Sequence, residues 1–156
     1  MKREVPWLSR DEFWVVIEDC RGHTADTSSF AERLPEQLVP WDFPRLSAFH
    51  NTMWYDVGVF QRGELWDVVR EREPLLGSQN AWECYGGWLI AQGREFHEAV
   101  LRQPRLALSR LPSWEEIDDG ESIIFAAQEA CFRKTDRNYD LYDILGDFLP
   151  SDAFSR

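Results

Sequence analysis

The sequence predicts an all-α fold, a compact single-domain bundle of about six to seven helices with a docked C-terminal segment. Three observations carry this. Apolar residues recur at helical spacing through most of the chain, as in Phe13, Val16, Ile17 and Cys20. No stretch sustains the apolar–polar alternation of a half-buried strand, and there is no Asn-Gly hairpin pair. Residues that start helices, among them Ser9, Asp42 and Ser78, stand in front of the periodic segments. The helical domain is expected over residues 1–138. An acidic, aromatic segment, 139–156, is expected to pack on it.

The elements follow in order. Ser9 and Glu12 fit a capping box, Leu8 and Phe13 a hydrophobic staple, and Gly22 a left-handed stop, which predicts a helix over 10–21. His23–Ser29 reads as a polar linker. Ser28 or Ser29 caps a short helix through Phe30 and Leu34, with Pro35 opening a further turn. Asp42 caps a helix over 43–57. A weak interruption at Gly58–Gly63 separates it from a helix carrying Leu65, Trp66, Val68 and Val69, which Pro74 ends. Ser78 caps a helix that is apolar on most sides and therefore central. Gly86 and Gly87 inside it cost about 1 kcal/mol each against Ala, so another backbone or a bulky ring is expected close by. Gly93 is a stop or hinge, and the pattern continues through Phe96 and Val100 to Pro104. A short helix follows around 106–111. Residues 112–120 read as an acidic loop, and a helix from Glu121 to Lys134 completes the domain. In the last segment Ile144, Leu145, Phe148 and Leu149 form one helical stripe, with Asp140, Asp143 and Asp147 on another face.

Charge narrows the partners. Of 156 residues, 28 are acidic and 17 basic, a formal charge of −11. From Leu111 onward there are eleven Asp and Glu against four Lys and Arg, or −7, which leaves −4 for the preceding 110 residues. An acidic C-terminal third disfavours nucleic acid, whose phosphates need clustered Lys and Arg, and anionic membrane surfaces. It attracts a basic protein. No run of 18 apolar residues occurs, and the first residues carry charge without an apolar core, so the expected location is the cytoplasm. Cys20, Cys84 and Cys131 are odd in number and far apart, which disfavours a disulfide framework or a cysteine zinc site. No phosphate loop, dinucleotide fingerprint, HExxH or GxSxG motif is present. His23, His50 and His97 are isolated from one another. On a continuous helix Cys84 and His97 would lie roughly 20 Å apart, and only a break at Gly93 would bring them together as nucleophile and base. No metal or cofactor is expected.

Three blocks, Asp11-Glu-Phe-Trp-Val-Val-Ile-Glu18, Glu64-Leu-Trp-Asp67 and Gly87-Trp-Leu-Ile-Ala-Gln-Gly-Arg-Glu95, occur in this order. With them the chain resembles a bacterial family known as domain of unknown function 4240, over about residues 10–135. Before the third block, members often carry a Gly-rich stretch resembling Cys-Ser-Asp-Asp. This chain departs there, reading Leu76-Gly-Ser-Gln-Asn80. The resemblance implies a small helical domain and no particular activity.

The residues that remain support two readings. In the first, the chain is a non-enzymatic module for a basic protein or peptide, with Asp140, Asp143 and Asp147 as the contact face. An immunity- or antitoxin-like role is one form of it. In the second, Trp66, Trp82, Tyr85 and Trp88 line an apolar pocket with Arg94 as polar handle, as in an accessory enzyme or small-molecule binder. The same rings also suit a helical core. A cavity near Arg94 separates the readings. The charge distribution further predicts no measurable binding to duplex DNA at physiological salt. Submicromolar, salt-sensitive binding in a fluorescence assay would contradict it.

Overall fold

Short polar side chains start the helices. In the computed structural model, which describes residues 6–58 and 63–141, the Ser9 hydroxyl accepts the Glu12 N–H at 3.1 Å and opens α1 (Arg10–Gly22). Asp26 opens α2 (Thr27–Leu38) with a reciprocal box: its carboxylate accepts the Ser29 N–H, and Ser29 Oγ accepts the Asp26 N–H. The Asp42 carboxylate accepts from Arg45 N at 2.9 Å ahead of α3 (Phe43–Gly58). α4 (Glu64–Arg72) stops before a 3-10 turn, Pro74–Gly77. Ser78 then caps α5 (Gln79–Ala91) through the Ala81 N–H at 3.2 Å. α6 (Arg94–Arg102) and a second 3-10 turn, Pro104–Ser109, lead to α7 (Trp114–Ile124) and α8 (Ala126–Lys134). Among the described residues there is no strand, and the fold is all-α.

Five local expectations are corrected. Gly22 is not a left-handed stop; among the described glycines only Gly93 has positive φ, at 101°. The end of α1 is closed instead by His23 N–H on the Cys20 carbonyl and by the Thr24 hydroxyl on the same carbonyl at 3.1 Å. The cap of α2 is Asp26 rather than Ser28 or Ser29, because an ionised carboxylate at this position accepts from the backbone while Ser29 completes the box. Pro35 lies inside α2 rather than opening a new turn, with Leu34, Pro35 and Leu38 all buried. The residues read as an acidic loop form the first half of α7, since Ser113 and Glu116 build a second reciprocal box and Ile117 turns inward behind it. The helix expected from Glu121 to Lys134 is therefore two helices that break at Phe125.

The core has two parts. One gathers α1, α2, α3 and α8 around Phe13, Trp14, Leu34, Phe49 and Met53. The other packs α4, α6 and the 3-10 turns around Trp82, Tyr85, Trp88 and Leu89. α5 serves both, with Ile90 and Ala91 in the first and its tryptophans in the second. Phe13, Ile17, Trp82 and Leu89 are all fully buried, as their positions on the apolar faces require. Leu141 is buried in the first part, so the C-terminal segment reaches the domain at its start. The rest of the expected stripe, Ile144 to Leu149, and the interruption at 59–62 lie outside the described residues.

The most extensive helix pair is α5 with α7. The backbones meet there. A Cβ built on Gly120 would lie 2.9 Å from the Cys84 carbonyl carbon and 3.1 Å from the Trp88 nitrogen. One built on Gly87 would lie 2.9 Å from Ile124 Cγ1 and 3.1 Å from the Gly120 carbonyl carbon. The expectation of a close backbone at the Gly86-Gly87 pair is met by Gly87. A Cβ built on Gly86 would meet Val57 instead, 3.1 Å from its Cγ1 and 3.5 Å from its Cα.

This contact predicts a contrast between two glycines in helices. Gly120→Ala gains intrinsic helix propensity yet collides with backbone, and it is expected to cost about 1–3 kcal/mol net or more. Gly22→Ala, with nothing within 4 Å, is expected to be neutral or to stabilise by up to about 1 kcal/mol. Urea denaturation of both variants checks this. A Gly120→Ala protein as stable as the parent would remove the close crossing.

Candidate functional site

The aromatic set falls into the second core rather than around an open space. Trp82 and Tyr85 stack at 4.8 Å, Tyr85 and Trp88 are tilted at 5.6 Å, and the half-buried Trp66 meets Trp82 edge-on at 5.1 Å. Trp82, Tyr85 and Trp88 are fully buried. Arg94, expected beside them, turns towards α1. Its Nη1 donates to Asp11 Oδ1 at 2.8 Å and its Nε to Glu98 Oε1 at 3.0 Å. The Arg94 backbone N–H donates to Glu18 Oε1 at 2.8 Å, so a side chain of α1 caps α6. The other Glu18 oxygen takes Arg21 Nη1 at 2.9 Å. Gly93 is required at this bend because its φ is positive, at 101°.

A second carboxylate joins three helices. Glu116 Oε2 accepts the Trp88 indole N–H at 3.0 Å and the Thr27 hydroxyl at 3.2 Å, while Oε1 accepts the Ser113 N–H at 3.1 Å. Burial pushes this carboxyl up, but the donors from Trp88, Ser113 and Thr27 outweigh it and hold it below the ordinary Glu range.

Fixing α2 to α7 in this way leaves a surface groove of about 560 Å³ between α2 and the α7–α8 pair. Its apolar floor is Ala31, Pro35 and Phe125, and among the described residues its walls carry Glu32, Asp119, Glu121 and Glu129 against one cation, Arg133. Phe125 is 37% exposed. Glu129 pairs with Arg133 at 3.3 Å and Arg137 at 2.8 Å. Among the described residues, Glu32, Asp119 and Glu121 have no ion-pair partner. Burial, followed by the neighbouring carboxylates Asp26, Glu116, Asp118 and Glu115, raises the Asp119 carboxyl above its ordinary range. A field that resists adding its own negative charge favours a cation.

Sequence reasoning placed the acidic face on Asp140, Asp143 and Asp147. Asp140 is half-buried at the end of the described segment, and Asp143 and Asp147 lie outside it. Asp119 was missed because residues 112–120 read as loop. The Ser113–Glu116 capping spacing is the signal that would have placed it on the same helix as Glu121.

Residues 8–133 match the family described as Protein of unknown function (DUF4240). The chain belongs to that family. No curated protein and no solved structure matches it. In this DUF4240 chain the first and third sequence blocks meet in space: Asp11 and Glu18 come from one, Gly93 and Arg94 from the other, and they form the α1–α6 junction. The middle block supplies Trp66, against Trp82. Asp11 and Glu18 were not expected as partners of Arg94, since only folding brings them within reach.

The three cysteines of this DUF4240 protein are buried, and so are two of its three histidines, His50 and His97; His23 is exposed. Burial raises the Cys20 and Cys84 thiols to about 11, and the Cys131 thiol is buried as well. Among the described residues no three His, Cys, Asp or Glu side chains gather as a metal site, and no helix is long and apolar enough to cross a membrane. Burial lowers His50 and His97 to about 4, and it raises Asp56 to about 6 with Arg10 partly opposing.

These shifts fix a pH dependence. Below pH 6.5 the unfolded histidines take up protons that the folded ones refuse, so stability present above pH 6.5 is lost as pH falls towards 4. Asp56 acts oppositely, since its folded form holds a proton that the unfolded form releases between about 4 and 6. At about 1.4 kcal/mol per pKa unit, two histidines outweigh one aspartate, and a net loss of about 2–4 kcal/mol is expected between pH 6.5 and 4. Urea denaturation across this window measures it; a flat profile would contradict the burial of both rings.

Proposed function

We propose that this protein is a non-enzymatic interaction module that binds a basic protein or peptide in the groove between α2 and the α7–α8 pair. It would act in the cytoplasm as an immunity-like or regulatory protein that covers a basic partner. The observation that carries this reading is the set of three carboxylates, Glu32, Asp119 and Glu121, which have no ion pair among the described residues, around an apolar floor with an exposed Phe125. Such a surface offers Coulombic steering at its rim and area for burial at its base. The formal charge of −11 extends the attraction beyond the groove. The buried thiols and the lowered histidines support a non-catalytic role, since neither group meets solvent in a reactive form near neutral pH.

A labelled oligoarginine peptide at physiological salt tests the groove. Glu32→Lys combined with Glu121→Lys is expected to weaken binding at least tenfold. Glu64→Lys combined with Glu71→Lys, an equal change of charge on exposed positions of α4, is expected to weaken it no more than twofold. Equal losses from both pairs would reduce the attraction to net charge and remove the groove from the contact.

A further inference from the structure

A second cleft, of about 340 Å³, opens between the segment entering α1 and the last turns of α3. It is lined by Trp7, Leu8, Arg10, Thr52, Tyr55 and Asp56. Trp7 and Tyr55 meet edge to face at 5.8 Å, and they are 38% and 39% exposed, so two ring surfaces face solvent at its mouth. Asp56 is 6% exposed. The Thr52 and Arg10 side chains have partners. The Thr52 hydroxyl accepts the Leu8 N–H at 3.1 Å and donates to the Ala48 carbonyl at 2.8 Å. The Arg10 guanidinium is 3.7 Å from Glu98 on α6. Among the described residues, no hydrogen-bond donor and no cation within ion-pair distance reaches the Asp56 carboxylate; Arg10 acts on it only through space.

This is a costly place for an anion. Burying a carboxylate without a paired charge or donors is unfavourable by several kcal/mol. Asp56, on α3 and 6% exposed, stands in this position. The group lacks what a primary ammonium supplies, a positive charge and N–H donors. The neighbouring ring faces attract the same cation and cover its alkyl stem. A guanidinium suits the cleft less well, because its planar fork is matched by paired acceptors, and among the described residues Asp56 is the one carboxylate in the lining.

We propose that this cleft binds a primary alkylammonium group, with Asp56 as the counter-ion and Trp7 and Tyr55 as the walls around its stem. The ammonium is either that of a free amine or that of a lysine side chain. The site is separate from the acidic groove and shares none of its residues.

The test follows the Trp7 indole N–H and the amides of residues 52–57 by NMR while the intact protein is titrated with n-butylammonium, Nα-acetyl-lysine methylamide, tetramethylammonium or n-butanol. Saturable shifts confined to these positions are expected with at least one of the first two at millimolar concentration. Tighter binding of the lysine derivative assigns the ammonium to a protein side chain, and tighter binding of butylammonium assigns it to a free amine. Tetramethylammonium, which has no N–H, and the uncharged butanol are expected to bind at least tenfold more weakly. Asp56→Asn is expected to weaken ammonium binding at least tenfold while the fold persists, since the change removes a buried charge. Tyr55→Ala, at an exposed ring, is expected to weaken it severalfold. Absence of saturable shifts with both primary ammonium ligands, or shifts that Asp56→Asn leaves unchanged, would overturn the proposal.

Discussion

The backbone contact between Gly87 of α5 and Gly120 of α7 is the constraint on which the rest of the structure depends. Each glycine gives up helix propensity, about 1 kcal/mol, and each is placed where any side chain would strike the facing helix. Interiors are packed too densely to absorb such a collision without moving an element. The register that the crossing imposes puts Glu116 within hydrogen-bond reach of Trp88 and Thr27 at once. One carboxylate thereby orders the start of α7, the side of α5 and the first turn of α2. The groove between α2 and α7 has its width from this arrangement rather than from its own lining.

A second junction holds the opposite side of α5. The chain reverses at Gly93 between α5 and α6, and α1 closes over the bend with Asp11, Glu18 and Arg21. These side chains are largely exposed, and exposed ion pairs each contribute little to stability. Their effect is geometric. They cap α6 and hold Arg94 away from the tryptophans, so that the rings of α5 pack on one another. Both cores thus hang from a single helix, and the two surface clefts lie at the margins of the first core, where α2 and α3 have faces that no helix among the described residues covers.

Much of the fold was legible because local signals and packing agreed. Ser9, Asp42 and Ser78 each start the helix that their position suggests, and Phe13, Ile17, Trp82 and Leu89 are buried as their spacing requires. The failures have physical causes. Charge density hid the start of α7, because Glu115, Glu116, Asp118 and Asp119 look solvated while Ile117 and Gly120 point inward on every third residue. Pro35 resembled a helix start, but its neighbours Leu34 and Leu38 keep α2 continuous through tertiary burial. Arg94 could not be placed from its own segment, because its partners are 83 and 4 residues away and only the nearer one is visible as a helical pair. Asp56 gave no signal at all: its burial arises where the segment before α1 folds back on α3, with Leu8 on Thr52 and Pro6 on Asn51.

Native-state hydrogen exchange addresses the glycine crossing most directly. If α5 and α7 are locked backbone to backbone, the amides of residues 84–91 and 117–124 open only with the whole molecule. Their exchange free energies should then coincide with each other and with the global unfolding free energy from urea denaturation. Exchange of 117–124 through a separate, lower-energy opening, while 84–91 remains protected, would mean that α7 is a peripheral helix and that the crossing does not organise the fold.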